Sequence, residues 1–260
     1  MSDVVLATRG LSKRFGALAV ANDIDLELRA GERRAIIGPN GAGKTTLVAL
    51  LSGILRPDRG TISLLGRDIT GERPDRRVKS GLVRTFQVSS LFRNLTVLEN
   101  VYLAVSEHAG ASRRMWRAAV RHRDVLERAE DVLAHLRLAD DRHRKISEIA
   151  YGRQRLVEIA IALSLEPKVL VLDEPAARIP SDQAVRLLEV IEQLPRDMAI
   201  VMIEHDMQIV RRFASVVTVL VAGTILMTGS PQEVMSADEV RSVYLGQSGH
   251  ARFTADSFGA

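Results

Sequence analysis

The chain has 260 residues, of which 46% are hydrophobic and 26% charged, an ordinary globular composition for one large domain or two small ones. Its formal charge of +4 is too small to indicate nucleic acid as a partner, and the absence of cysteine excludes disulfides and thiol chemistry. The N-terminus lacks the pattern of a secretory signal, and no apolar run reaches the roughly 18 residues of a membrane span. We therefore expect membrane contact only through a partner.

The first third of the chain alternates short apolar runs with one helical pattern. We predict strands at residues 4–7, 24–28, 33–38 and 61–66, and a helix at 44–55 that Gly53 and Pro57 end. From residue 96 to about 144 the sequence changes to long, Arg-rich segments of helical period with almost no glycine. One predicted helical face there carries Trp116, Val120, Leu126, Val132, Leu133 and Leu136.

Alternation of strands and helices resumes after Gly152. We predict strands at residues 168–174 and 199–206, helices at 182–194 and 207–213, and two buried strands within 216–229. This alternation predicts an α/β fold with a sheet core, interrupted by an inserted helical subdomain at about residues 90–150. Residues 248–260 are small and polar, and we expect a frayed tail.

Residues 38–46 read "GPNGAGKTT" and fit the pattern G-x-x-x-x-G-K-[ST] between a predicted strand and a predicted helix. In that context, backbone N–H groups and the helix N-terminus favour phosphate, the lysine supplies charge and the threonine a hydroxyl for Mg²⁺. The alternative is a glycine-rich turn that carries a lysine by chance. The candidate nucleotide-binding residues here are Gly38, Asn40, Gly41, Ala42, Gly43, Lys44, Thr45 and Thr46.

A second candidate follows the apolar run "VLVLDEP" at residues 169–175. A buried strand would deliver Asp173 to its end, where the carboxylate can hold the Mg²⁺ shell, and Glu174 can polarise an attacking water. Phosphoryl transfer depends mainly on such placement of charge. The alternative is a solvated strand end with no chemical role.

Taken together, these motifs resemble the ATP-binding subunits of ABC transporters over residues 6–246. The family order of phosphate loop, glutamine loop, signature, Asp-Glu pair, D-loop and switch histidine is matched here. The matching residues and segments are Lys44, Gln87 in "RTFQ", "IAYGR", Asp173–Glu174, "AARIP" and His205 in "IEHDM". The resemblance implies a P-loop ABC ATPase domain over residues 1–247 that uses ATP and Mg²⁺.

The same resemblance assigns further roles. Phe15 would stack on adenine, Gln87 would join Thr45 and Asp173 at the metal, and His205 would hydrogen-bond the γ-phosphate. Gln87 and His205 thereby join Glu174 as catalytic candidates. The corresponding alternatives are a core phenylalanine, a solvated loop amide and a structural histidine.

Within the family, the residues of several segments resemble those of the ATP-binding subunits of branched-chain amino acid importers and their hydrophobic and polar amino acid relatives. These segments are "LFRNLTVLENV", "AYG", "LDEPAA" and "VYLG". The alternative is the ATPase of lipopolysaccharide transport, which shares part of this pattern. The importer resemblance implies two nucleotide-binding chains, identical or paralogous, facing head to tail. It also implies two permease subunits, a periplasmic binding protein acting indirectly, and a peripheral location on the cytoplasmic face of the inner membrane.

The signature and the D-loop depart from the common family pattern. The signature has Ala150 where a serine is common. By the resemblance, Ala150, Gly152 and Arg153 are candidates for binding the nucleotide. Arg153 is either a cation near the phosphates or a simple surface charge. In the D-loop, Arg178 occupies a glycine position. If the backbone there has a positive φ, this arginine costs about 1–2 kcal/mol.

Two other classes of function are alternatives for this sequence. The Arg-rich block at residues 113–155 suits nucleic-acid binding, but aromatic residues make up only 4% of the chain, and acidic residues interleave with the arginines at helical spacing. We therefore expect no nucleic-acid partner. An inactive regulatory subunit is disfavoured because Lys44, Asp173, Glu174 and His205 are all present.

Overall fold

The computed structural model describes residues 3–85, 91–110 and 118–245. They belong to two compact units. The first comprises the described residues within Met1–Leu82, Lys168–Pro175 and Pro195–Ala260, and the second comprises those within Val83–Pro167 and Ala176–Leu194.

The described residues form ten strands and nine α-helices. The strands are β1 (Val4–Phe15), β2 (Leu18–Arg29), β3 (Arg33–Ile37), β4 (Arg59–Leu64), β5 (Arg67–Asp68), β6 (Leu82–Arg84), β7 (Val169–Asp173), β8 (Ala199–Ile203), β9 (Val216–Val221) and β10 (Thr224–Gly229). The helices are α1 (Lys44–Leu51), α2 (Pro74–Lys79), α3 (Val97–His108), α4 (Ala118–His135), α5 (Tyr151–Leu163), α6 (Ser181–Glu192), α7 (Met207–Phe213), α8 (Pro231–Ser236) and α9 (Asp238–Leu245).

The strands form two sheets. One is antiparallel with the order β2-β1-β4-β5, and the other has the order β10-β9-β3-β8-β7-β6. Within the second sheet, β9, β3, β8 and β7 run parallel, whereas β10 is antiparallel to β9. Parallel strands present their carboxyl ends at one edge, so the segments that follow β3, β7 and β8 come together there.

The main core of the first unit contains buried side chains from both sheets and from α1. Leu6 and Ile24 contribute from the antiparallel sheet, Leu47 and Leu50 from α1, and Val171 from the parallel strands. A second cluster joins β3 and β9 to α7, α8 and α9. The strands β7 and β8 are buried at every position, which is typical of parallel strands that are covered on both faces.

Helices α3 to α6 belong to the second unit. Thr96 caps α3, because its hydroxyl accepts from the Glu99 N–H while the Glu99 carboxylate accepts from the Thr96 N–H. In α4, the buried face carries Val125, Ala129 and Leu133, and Leu136 directly after the helix is also buried. The predicted face was wrong at Leu126, whose side chain is 39% exposed. The side chains of Trp116 and Val120 lie outside the described residues.

Two further predictions need correction. The first two strands are each 12 residues long, because they pair with each other as an antiparallel hairpin along almost their whole length. The second predicted buried strand within 216–229 is not buried. β10 lies at the end of its sheet, and its residues alternate between exposed and half-buried. The predicted tail at residues 248–260 lies outside the described residues.

None of the helices in the described ranges combines the length and apolar character that crossing a membrane requires.

Candidate functional site

The loop between β3 and α1 needs glycine at two positions for steric reasons. A Cβ at Gly38 would lie 2.1 Å from the carbonyl oxygen of Leu220 in β9, and one at Gly43 would lie 2.3 Å from that of Val20 in β2. Gly43 also has a φ of +101°. Any larger residue would push this loop off the two strands that support it.

The side chain of Lys44 folds back over this loop. Its Nζ donates to the carbonyl oxygens of Gly38 at 2.6 Å and Pro39 at 3.0 Å. On the other side of the loop, the Ala42 carbonyl accepts from the Gly223 N–H at 2.9 Å. The loop is thus held from several directions, with a cation over it and a helix N-terminus behind it, a combination that suits an anionic ligand.

The ends of β7 and β8 bring three acidic or basic side chains to the same sheet edge. Asp173 is buried at the end of β7, and the N–H of Glu174 donates to the Ile203 carbonyl at 3.0 Å. One Glu174 carboxylate oxygen lies 3.8 Å from Nδ1 of His205, and the two side chains are 30% and 45% exposed. A carboxylate and an imidazole therefore face each other where solvent can reach both.

Glu174 has a φ of +47°, an unusual backbone conformation for a residue with a side chain. Such strain costs on the order of 1–3 kcal/mol and is concentrated at functional sites. The Glu174 N–H bond to β8 holds this conformation in place.

The backbone around His205 is fixed from both sides. The buried carboxylate of Glu204 accepts from the His205 N–H at 3.1 Å, and Asp206 caps α7 by accepting from the N–H groups of Gln208 and Ile209. Glu204 is not among the site residues that the motifs predict. An acidic residue directly after a buried apolar strand was the available signal, the same signal that identified Asp173 and Glu174.

Phe15 lies at the end of β1 with its side chain largely in solvent. It is 51% exposed, and Nζ of Lys13 lies 5.8 Å from the centre of its ring. The alternative of a core phenylalanine is therefore wrong, and a flat aromatic face is accessible for stacking.

The signature segment belongs to the second unit and opens α5. Ala150 is the N-cap residue of α5 and has no side-chain oxygen for capping. Gln154 does not replace this cap but holds the loop before the helix, because its Nε2 donates to the carbonyl oxygens of Ile146 at 3.1 Å and Ile149 at 3.0 Å. A Cβ at Gly152 would lie 2.6 Å from Oε1 of Gln183, so glycine allows α5 and the start of α6 to approach closely.

Arg153 is engaged within the second unit. Its Nε donates to the buried carboxylate of Asp141 at 2.6 Å, and its Nη2 donates to the Arg137 carbonyl at 2.8 Å. The interpretation as a simple surface charge is wrong, because the guanidinium is paired with a buried group. The guanidinium also does not extend as a free cation toward a ligand.

Arg178 has a φ of +64°. A positive φ is the condition under which an arginine at this D-loop position costs about 1–2 kcal/mol. The arginine occupies a left-handed conformation that glycine would adopt without strain.

The residues present fit a nucleotide with Mg²⁺. The two glycines leave a cradle that a Cβ would fill, and Lys44 lies over it. Thr45 in the first turn of α1 and Asp173 at the end of β7 offer oxygen donors, which Mg²⁺ prefers. Among the described residues, no group of three or more His, Asp or Glu side chains could hold a metal by itself. Gln87 lies outside the described residues.

Comparison with known proteins gives consistent matches. The family model described as "ABC transporter" matches residues 21–177. The high-affinity branched-chain amino acid transport ATP-binding protein LivG of Salmonella typhimurium is 38% identical over 256 residues, which cover 95% of this chain and 100% of that protein. BraF of Pseudomonas aeruginosa, a protein of the same description, is 34% identical over 260 residues, with the same coverage.

Among solved structures, a nucleotide-free ATP-binding cassette from an ABC transporter aligns with a TM-score of 0.82 and 28% identity. The alignment covers 94% of this chain and 100% of that one. A second cassette, cbiO1 from Clostridium perfringens, aligns with a TM-score of 0.79 and 25% identity, covering 95% of this chain and 96% of that one. Sequence and fold agree along nearly the whole length, and the chain belongs to the ABC transporter family.

Proposed function

We propose that this chain is the ATP-hydrolysing subunit of an ABC importer for branched-chain or related amino acids. The observation that carries the ATPase proposal is the Lys44-covered glycine loop after β3, which occurs together with the Glu174–His205 pair at the same edge of the sheet. Similarity to LivG and BraF over nearly the full length supports amino acids as the cargo and favours an importer over a lipopolysaccharide exporter.

In this proposal the first unit binds the nucleotide. Backbone N–H groups of residues 38–46 and the N-terminus of α1 bind the phosphates, and Lys44 swings from the loop carbonyls to the β- and γ-phosphates. Phe15 stacks on the adenine through its exposed ring. Thr45, Asp173 and Gln87 would hold Mg²⁺, which when bound neutralises charge on the phosphate oxygens.

Hydrolysis would use the residues that follow β7 and β8. Glu174 accepts a proton from the attacking water, and the constrained backbone at this residue aims its carboxylate. His205 donates a hydrogen bond to the γ-phosphate, with its backbone held by Glu204. The partial exposure of both side chains leaves access for water and phosphate.

The second nucleotide-binding chain, an identical copy or a paralogue, would complete each site. Ala150, Gly152 and the N-terminus of α5 from one chain would face the γ-phosphate bound to the other. Two permease subunits would receive the motion on the cytoplasmic face of the inner membrane, and a periplasmic binding protein would deliver the cargo. We include no nucleic acid among the partners.

Reconstitution tests this proposal directly. The chain and its two permease subunits are incorporated into proteoliposomes with the binding protein of the transporter, and uptake of labelled leucine, isoleucine and valine is measured with and without MgATP. ATP-dependent uptake is expected. ATP-dependent export of a lipid with no amino acid uptake would overturn the importer assignment.

Replacing Lys44 with alanine should weaken MgATP binding at least tenfold, because this ammonium group is the main side-chain charge over the phosphate loop. A fluorescent-nucleotide titration measures the affinity, and Lys79→Ala is a matched control that removes an exposed lysine on α2 of the same unit. Unchanged affinity in Lys44→Ala would remove this loop from nucleotide binding.

Replacing Arg178 with glycine should raise the free energy of unfolding by about 1 kcal/mol, because glycine relieves the left-handed strain at φ +64°. It should also raise ATPase activity or ATP-driven dimerisation if the D-loop passes close to its partner chain. Chemical denaturation and steady-state turnover are the measurements. A variant no more stable than the parent would show that the arginine is accommodated at no cost.

A further inference from the structure

A single buried carboxylate organises the loop that precedes α5. Asp141 ends a short 3₁₀ turn, Ala139–Asp141, and its side chain is only 10% exposed. One oxygen accepts from Nη1 of Arg144 at 3.1 Å, and the other accepts from Nε of Arg153 at 2.6 Å. Arg144 precedes the signature segment, and Arg153 is the last residue of that segment, in the first turn of α5.

Both arginines also bind backbone carbonyls, so the carboxylate is the centre of a larger frame. Nη2 of Arg144 donates to the Glu148 carbonyl at 2.5 Å, and Nη2 of Arg153 donates to the Arg137 carbonyl at 2.8 Å. Residues 145–150 therefore lie between two arginines whose side chains bind the same carboxylate, that of Asp141. Gln154, which donates to two carbonyls of the same loop, closes the frame from the helix side.

Electrostatics give the carboxylate charge a specific part in this frame. A cation in the first turn of a helix is opposed by the positive end of the helix dipole, so Arg153 is unfavourable there without compensation. The negative charge of Asp141 supplies that compensation at hydrogen-bond distance. Hydrogen bonds between ionised partners are the strong ones, and a buried charge needs such partners.

We propose that Asp141 is a positioning residue for the signature loop. Its charge holds Arg144 and Arg153 so that the start of α5 is preformed to meet a nucleotide bound to a second chain. The inference rests on the proposed function, since the contact with that nucleotide belongs to it. No role in nucleotide binding by the phosphate loop of the same chain is assigned to Asp141.

The first test compares Glu174→Gln with the double variant Glu174→Gln/Asp141→Asn, since the Glu174 change is expected to stabilise an ATP-bound dimer. Asparagine keeps the shape of the aspartate and removes its charge. We expect the dissociation constant of the MgATP dimer, measured by sedimentation velocity, to rise at least about tenfold. ATP affinity of the monomer, measured by titration at a concentration below dimerisation, should change less than twofold.

The second test needs no nucleotide. Hydrogen–deuterium exchange of residues 142–153 should become at least about tenfold faster in Asp141→Asn, because the frame loses its charged centre, while exchange of residues 38–46 stays unchanged. Arg153→Gln should accelerate exchange in the same segment. Glu127→Gln is the matched control, because it breaks an exposed ion pair with Arg123 on α4 and should change neither readout.

Parent-like dimerisation together with parent-like exchange at residues 142–153 would overturn the proposal. Faster exchange in both 142–153 and 38–46 would also overturn it, since that result indicates general destabilisation. If Glu174→Gln itself neither binds ATP nor dimerises, the proposed function fails, and the exchange measurement still decides whether Asp141 positions the loop.

Discussion

Replacing Glu174 with glutamine is expected to lower ATP turnover at least a hundredfold while leaving MgATP affinity nearly unchanged. Glutamine keeps the size of the side chain but cannot accept a proton from water, and general-base catalysis typically contributes about 10²–10⁴ in rate. We expect the strained backbone conformation at φ +47° to be retained, because glutamate and glutamine both have an unbranched Cβ. Loss of turnover is therefore expected to reflect the missing base.

Turnover is measured as phosphate release from the assembled transporter, and affinity by titration of the isolated chain. The variant is also expected to accumulate an ATP-dependent dimer, because ATP binds and is not consumed. Glu27→Gln is a suitable control, since it makes the same chemical change on β2. Parent-like turnover in Glu174→Gln would remove this residue from the catalytic role.

The second large effect is expected at Gly152. Replacement by aspartate should nearly abolish turnover, because the carboxylate would repel the phosphate that this segment is proposed to meet. In addition, the new Cβ would lie 2.6 Å from Oε1 of Gln183 and force that side chain to move. Gly152→Ala isolates the steric part: since a flexible side chain can yield, it should lose less activity than Gly152→Asp.

Ala150→Ser is the matched variant on the same loop and should change turnover by less than about tenfold, below the full value of a hydrogen bond to a charged group. Serine at the N-cap of α5 should also raise stability by about 0.5–2 kcal/mol, because it supplies the missing capping oxygen. Steady-state ATPase activity of the three variants in the assembled transporter is the measurement. A hundredfold gain in Ala150→Ser, or full activity in Gly152→Asp, would contradict this account of the loop.

The phosphate loop shows what local sequence can establish. Its glycines, Lys44 and the flanking apolar strand lie within a dozen residues, and α1 begins at Lys44 as the pattern predicts, although it ends at Leu51 and not at residue 55. The buried strand before Asp173 was equally clear, because a continuous apolar run between polar segments is typical of a parallel strand covered on both faces.

The helical face of α4 shows the limit of this approach. The pattern placed Leu126 inward, whereas the structure buries Val125 and Ala129. A helix rotated by one residue presents a similar apolar stripe, and its orientation is chosen by the elements that pack against it. β10 was misjudged for a related reason, since its position at the end of a sheet is a property of strand order.

The sequence by itself determined the family, the order of the motifs and the position of each chemical group along the chain, because these depend on residues that are near neighbours. Only the tertiary structure showed that Arg153 binds Asp141, that Glu204 fixes the backbone of His205, and that Arg178 has a positive φ. Asp141 lies 12 positions from Arg153, and Gln183 lies further still from Gly152. Contacts at such separations are set by how the chain packs as a whole, which local spacing does not encode.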